Sequence, residues 1–195
     1  MKKQRIVLAS GNAHKIKEIQ QMLADFEIIG YKDLGVDFEI EENGTTFYEN
    51  ALIKAKAVAE ALNLPALADD SGICVDALND EPGIYSARYA GDGVDEHNNQ
   101  LLLKNMQGKE NRKARFVCCM VYYNPNGQII TSTGQTEGEI MDKCYGENGF
   151  GYDPLFFSYD LNKCLGIASA EEKNTISHRF RAIEGIKSKL IELMD

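Results

Sequence analysis

The sequence has no basic excess: 21 Lys and Arg stand against 30 Asp and Glu, a formal net charge of −9. Broad binding to DNA, RNA or an anionic membrane surface calls for the opposite sign. A phosphate-bearing small molecule stays open, because a pocket needs only a few local cations. Long apolar runs are missing as well. Ile6-Val7-Leu8-Ala9 is too short for a signal-peptide core, and the stretch from Phe116 to Tyr123 is too short to span a bilayer. The expectation is a cytoplasmic protein with no membrane segment. The five cysteines, Cys74, Cys118, Cys119, Cys144 and Cys164, form no Cys-x-x-Cys pair. Their odd number argues against a disulfide framework or a zinc site and for small buried hydrophobes. His14, His97 and His178 are scattered without metal-ligand spacing. Internal repeats, low-complexity tracts and Pro/Gly/Ser linkers are absent too, so 195 residues read as one domain around one core.

What is present alternates between strand and helix. Residues 4–9 read as a strand and 13–25 as a helix with Ile16, Ile19 and Leu23 on one face. Thr46 three residues before Glu49 has the spacing of a capping box, opening a helix to about Leu62 with Phe47, Ala51, Ala55, Val58 and Leu62 inward. Residues 65–69 and 73–77 read as two strands, and 95–106 as a helix. Segments 113–123 and 127–140 flank Asn124-Pro125-Asn126-Gly127, a hairpin signal. Ser177 is placed to cap a last helix with Phe180, Ile183, Ile186, Leu190 and Leu193 inward. Helices bracketing a hairpin predict an α/β fold with a mixed sheet.

Five segments carry polar residues in chemically suggestive order. Ala68-Asp69-Asp70-Ser71-Gly72 ends an apolar run in two adjacent acids. Such acids need a cation, and Mg²⁺ takes oxygen ligands, so one reading is a metal site with a general base. The other is an acidic turn whose side chains satisfy the backbone. Ser10-Gly11-Asn12-Ala13-His14-Lys15 follows the first strand and opens a helix. It reads either as an anion-binding helix start or as a plain cap with a solvated lysine; Walker spacing is absent. Glu41-Glu42-Asn43-Gly44, with Lys54 on the next helix, supplies further acids and a cation, or a solvated turn. Gly149-Phe150-Gly151-Tyr152-Asp153-Pro154 presents rings and a carboxylate on a glycine-rich loop, suited to a flat base or to burying the loop itself. Glu172-Lys173-Asn174-Thr175-Ile176-Ser177-His178-Arg179 places an arginine at a helix start. That is against the helix dipole and therefore suggests a ligand.

Together these segments resemble the inosine/xanthosine triphosphate pyrophosphatase family, which acts on deaminated purine nucleoside triphosphates. The matches are 10–15, Glu41 to Ala51, 68–72, Pro82-Gly83-Ile84-Tyr85-Ser86-Ala87-Arg88-Tyr89-Ala90-Gly91, 149–154 and 172–179, in family order along nearly the whole chain. The resemblance implies an elongated two-lobed α/β domain around a long mixed sheet, with the substrate in a cleft, and a homodimer. It implies that Ser10, Gly11, Asn12, Ala13, His14 and Lys15 bind the triphosphate, with Lys54 adding charge. Glu42 and Asp70 would hold Mg²⁺, Asp70 would also activate water, and Asp69 would support it. Ser71 would contact substrate. Phe150 would stack on the base, with Gly151, Tyr152 and Asp153 completing that wall. Lys173, His178 and Arg179 would read the base edge and nearby phosphate, and Arg88 is a weaker phosphate candidate. Three alternatives stand beside it: a Maf-type pyrophosphatase with another base preference, a nucleotide sensor without turnover, and a general Mg²⁺ phosphatase.

Overall fold

The structure is a computed structural model that describes residues 3–37 and 39–193. Seven strands form one sheet in the order β2-β1-β3-β4-β5-β6-β7. They are β1 Arg5–Leu8, β2 Glu27–Gly30, β3 Ala66–Val75, β4 Lys113–Tyr123, β5 Ile129–Ile140, β6 Phe156–Ser158 and β7 Lys163–Cys164. The helices are α1 Ala13–Met22, α2 Phe47–Leu62, α3 Asp95–Asn105, α4 Ala170–Ile176 and α5 His178–Glu192. β1 pairs in parallel with β2 and β3, whereas β6 is antiparallel to both β5 and β7, so the sheet is mixed as expected.

The chain divides into two compact units. The first comprises residues 1–70, 119–133 and 182–195, and the second 71–118 and 134–181. In the first, Ala51, Ala55, Val58 and Ala59 of α2 pack with Ala66 and Ala68 of β3 and with Cys119 and Val121 of β4. Small residues on both surfaces let the helix lie close to the sheet. In the second, Phe116, Phe156, Tyr152, Leu102, Met106 and Leu165 build a separate core. None of the five cysteines is in a disulfide; four are buried and Cys144 is exposed. Burial and charge around Cys74 push its thiol up to about 11, so it stays protonated at neutral pH.

Local expectations held in most places and failed in informative ones. The turn at Asn124–Gly127 is closed by Gly127 N–H to Asn124 O at 2.8 Å, with Gly127 at φ +92. Thr46 caps α2 by accepting from Glu49 N at 3.1 Å, but the Glu49 carboxylate turns to Thr45 N–H and hydroxyl, not to the cap residue's own N–H. The reciprocal box occurs instead at Ser169 and Glu172, opening α4. Ser177 caps α5 through Phe180 N–H at 3.1 Å. Ala182 takes an inward place on α5, while Leu193 lies past its end and is exposed. α1 ends at Met22, earlier than the periodicity suggests, and Leu23 and Phe26 are buried beyond its end.

The largest correction concerns β3. Residues 65–69 and 73–77 are not two strands around an acidic turn. Ala66–Val75 is one uninterrupted strand, and Asp69 and Asp70 lie within it.

Candidate active site

Strand alternation separates the two adjacent acids. Ala66, Ala68 and Asp70 share the face that α2 covers, and Asp69 points the other way. Each carboxylate meets its own lysine. Asp69, whose side chain is 4% exposed, pairs with Lys15 on the first turn of α1. Asp70 faces Lys54 of α2, with Nζ 3.9 Å from Oδ1. Two lysines on opposite faces of the strand thus relieve their mutual repulsion.

Parallel pairing explains why Lys15 reaches Asp69. Leu8 lies opposite both Leu67 and Gly30, so β1 and β2 end side by side against the first residues of β3, which runs on through Asp69 and Asp70. The loop after β1 therefore opens there, the usual ligand end of a parallel sheet. Asn12 caps α1 by accepting Lys15 N–H at 3.1 Å, and Ser10 Oγ accepts Asn12 N–H at 3.2 Å. Gly11 and Ala13 complete an exposed turn. The His14 side chain lies outside the described part of the structure. Lys32, just after β2, lies against Gly11, where an added Cβ would come 2.9 Å from its Cδ. Sequence reasoning missed this cation, because only the pairing of β1 with β2 brings it to the loop.

A second cluster forms around Asp70. Lys54 Nζ lies 3.0 Å from Glu42 Oε2 as well, so Glu42 and Asp70 approach one ammonium from two sides. Asn50, 2% exposed, donates to Asp70 Oδ2 at 3.1 Å and accepts Gly44 N–H at 2.9 Å. It fixes the Asp70 carboxylate and ties down the loop after Glu42. A side chain on Gly44 would come within 2.7 Å of Asn50 Oδ1, so that approach needs glycine. Among the described residues no group of three or more His, Cys, Asp or Glu is placed to hold a metal. Glu42 and Asp70 form a two-carboxylate set converging on a cationic centre. This fits Mg²⁺, which binds through one or two carboxylates and keeps waters or phosphate oxygens.

The second unit holds a cavity of about 210 Å³. Ser71, Phe150, Gly151, Tyr152, Asp153, Lys173, His178 and Arg179 all line it. The structure thus brings the base-side candidates together around one cavity. Asp153 is 1% exposed, and its carboxylate is engaged by Phe150 N–H at 2.9 Å and by Lys173. It shapes the loop. Tyr152 is buried and its hydroxyl donates to Ser86 O at 2.6 Å; burial also drives its pKa far upward. The Lys173 ammonium lies 4.3 Å from the centroid of the Phe150 ring. His178 stacks on Phe116 with centroids 5.0 Å apart and planes 13° apart. Phe116 sits in an ordinary-looking strand, and no sequence signal marks it. Arg88 lies over the Tyr85 ring at 5.2 Å and does not line the cavity.

The loop depends on glycine at one point above all. Gly149 has φ +78, and a Cβ there would sit 2.1 Å from Asp153 Oδ2. Gly149→Ala is expected to cost on the order of 1–3 kcal/mol of stability and to weaken ligand binding by displacing Asp153. Gly151→Ala, with nothing within 4 Å of its Cβ, is the milder comparison. Denaturant unfolding of both variants checks the order; equal stabilities contradict it.

Lysine–carboxylate pairs just past the carboxyl ends of β1 and β2, and a cavity of rings and cations in the second unit, are the equipment of an α/β protein that handles a phosphorylated ligand with a flat group. Residues 6–189 match the Ham1 family, and the chain belongs to that family. It is 46% identical over 186 residues to a dITP/XTP pyrophosphatase of Staphylococcus aureus, covering 95% of each chain. A dITP/XTP pyrophosphatase of Campylobacter jejuni is 47% identical over 188 residues, covering 92% of this chain and 94% of that one. The solved structure of the Staphylococcus aureus Ham1 protein superposes with a TM-score of 0.92 at 45% identity, covering 97% of this chain and 99% of that one.

Proposed function

We propose that this protein hydrolyses deaminated purine nucleoside triphosphates, those of inosine, deoxyinosine and xanthosine, to the monophosphate and pyrophosphate. The observation that carries this reading is the cavity of the second unit, lined by a ring, a hydrogen-bonded carboxylate and three cationic or imidazole side chains. The 46% identity to a dITP/XTP pyrophosphatase over 95% of the chain supports the same substrate class.

Water attacks the α-phosphorus, and the leaving pyrophosphate gains charge. Lys15 and Lys54 offset that charge, with the amide end of α1 beside Lys15. Asp70, oriented by Asn50, accepts the proton of the attacking water. Asp69 holds Lys15. Glu42 and Asp70 would hold Mg²⁺, which supplies Lewis-acid neutralisation of phosphate oxygens when bound. On the base side, Phe150 stacks and Ser71 contacts substrate. Hypoxanthine and xanthine carry an acceptor, O6, where adenine carries an amino donor. Donors from Lys173, His178 or Arg179 match O6 and oppose adenine, and such a mismatch is costly when buried groups lose their partners. The excess of acids over bases favours a free nucleotide over a nucleic acid. The reading extends to a homodimer in the cytoplasm, with light scattering as the check on the dimer.

Incubation with inosine, xanthosine, adenosine and guanosine triphosphates tests it, with Mg²⁺ or with EDTA. The expected products are monophosphate and pyrophosphate from the first two, only with Mg²⁺; guanine shares O6 and is set apart by its 2-amino group, a donor where xanthine carries an acceptor. Orthophosphate without base preference supports a general phosphatase, and tight binding without turnover a sensor.

A further inference from the structure

Phe150 is 64% exposed and its ring meets the Lys173 ammonium at 4.3 Å, so side-chain packing fixes its direction only in part. The backbone on either side supplies the rest. On the amino side, Phe150 N–H donates to Asp153 Oδ2. On the carboxyl side stands Gly151, with φ +59 and nothing within 4 Å of where a Cβ would be. Both of its peptide groups are held by α3. Gly151 N–H donates to Asp95 Oδ2 at 2.8 Å, and Asn99 Nδ2 donates to Gly151 O at 3.0 Å. Asp95 and Asn99 are four residues apart and so share one helix face.

Asn99 carries the stronger signal. It is 7% exposed, and its Oδ1 is buried without a hydrogen-bond partner. Turning the amide over would aim Oδ1 at the Gly151 carbonyl, acceptor against acceptor, so the carbonyl dictates the orientation. Helix formation alone does not call for asparagine here, since leucine is the better helix former and the Asn99 amide is spent on the Gly151 carbonyl. Neighbouring Asn98 differs: both ends of its amide are engaged, by Ala90 N–H and Ala87 O.

We propose that Asp95 and Asn99 are positioning residues that set the Phe150 ring for base recognition by fixing both peptide groups of Gly151. The inference rests on the base-site reading of this cavity. Asn99 does not line the cavity, so its effect must pass through Gly151; Asp95 lines it as well as holding Gly151 N–H, and Asp95→Asn, which keeps that acceptor, separates the two roles.

The test is steady-state kinetics with inosine triphosphate on Asn99→Ala, Asn99→Leu, Asp95→Ala and Asp95→Asn. The first three are expected to raise KM about tenfold with kcat within about threefold of wild type. Inhibition by inosine monophosphate weakens by the same factor, while inhibition by pyrophosphate, which has no base, is unchanged. Asp95→Asn keeps an acceptor for Gly151 N–H and restores wild-type KM. Asp95 is exposed, so its variants keep the test alive if Asn99 variants fail to fold. Unchanged KM and monophosphate inhibition in Asp95→Ala and the folded Asn99 variants overturn the proposal. A parallel loss of pyrophosphate inhibition also overturns it, since that marks general disruption. If wild type does not cleave inosine triphosphate, the base-site reading fails and takes this role with it. If wild type cleaves it and the variants match wild type, the positioning role fails alone.

Discussion

Asp70→Asn is expected to yield a folded protein whose turnover of inosine triphosphate falls by about a thousandfold, the scale of a lost general base. The fold should survive because the substitution is isosteric and Lys54 keeps Glu42 at 3.0 Å. The Asn50 amide, 3.1 Å from Asp70 Oδ2, still finds an oxygen if the new amide is oriented accordingly. What goes is the negative charge: an amide cannot take a proton from water at neutral pH, and it is a poorer partner for a divalent cation. Single-turnover kinetics beside a thermal melt separate chemistry from folding. Near-normal turnover removes Asp70 from the chemistry, whereas a large drop in melting temperature relocates its role to the fold.

The second large effect is expected on the base side. Arg179→Ala should lower kcat/KM for inosine triphosphate about a hundredfold, roughly 3 kcal/mol, the upper range for a charged hydrogen bond. Arg179 is the second residue of α5, where the helix dipole disfavours a cation, and it lines the cavity beside Lys173 and His178. Nothing in helix formation calls for arginine there, so its removal costs the helix little. Selectivity should fall with activity: residual turnover of adenosine triphosphate changes less, because adenine offers an amino donor where hypoxanthine offers O6. An unchanged specificity constant for inosine triphosphate contradicts this role.

The parts of this molecule legible in sequence are those governed by local chemistry. Asn124–Gly127 closes a hairpin because its residues suit that turn. Thr46 and Ser177 cap helices because their hydroxyls reach backbone N–H groups three residues on. β3 was misread for the opposite reason. Asp69 and Asp70 in a central strand contradict β propensity, and the strand forms there because Lys15 and Lys54, from helices on its two faces, neutralise them. β6, β7 and α4 are too short to show a period. At the site, the motifs mark segments that the structure gathers around Asp70 and around the cavity. The roles within them depended on contacts between distant residues: Asn50 with Asp70, Lys32 against Gly11, Phe116 under His178, and Asn99 on Gly151. None of these follows from spacing along the chain.

The most direct test of the account is hydrolysis of inosine triphosphate in ¹⁸O-labelled water, with mass spectrometry of the products. Attack at the α-phosphorus places the label in inosine monophosphate and leaves pyrophosphate unlabelled. Label in pyrophosphate or orthophosphate instead means attack elsewhere on the phosphate chain, and contradicts the roles given to Asp70, Lys15 and Lys54 together.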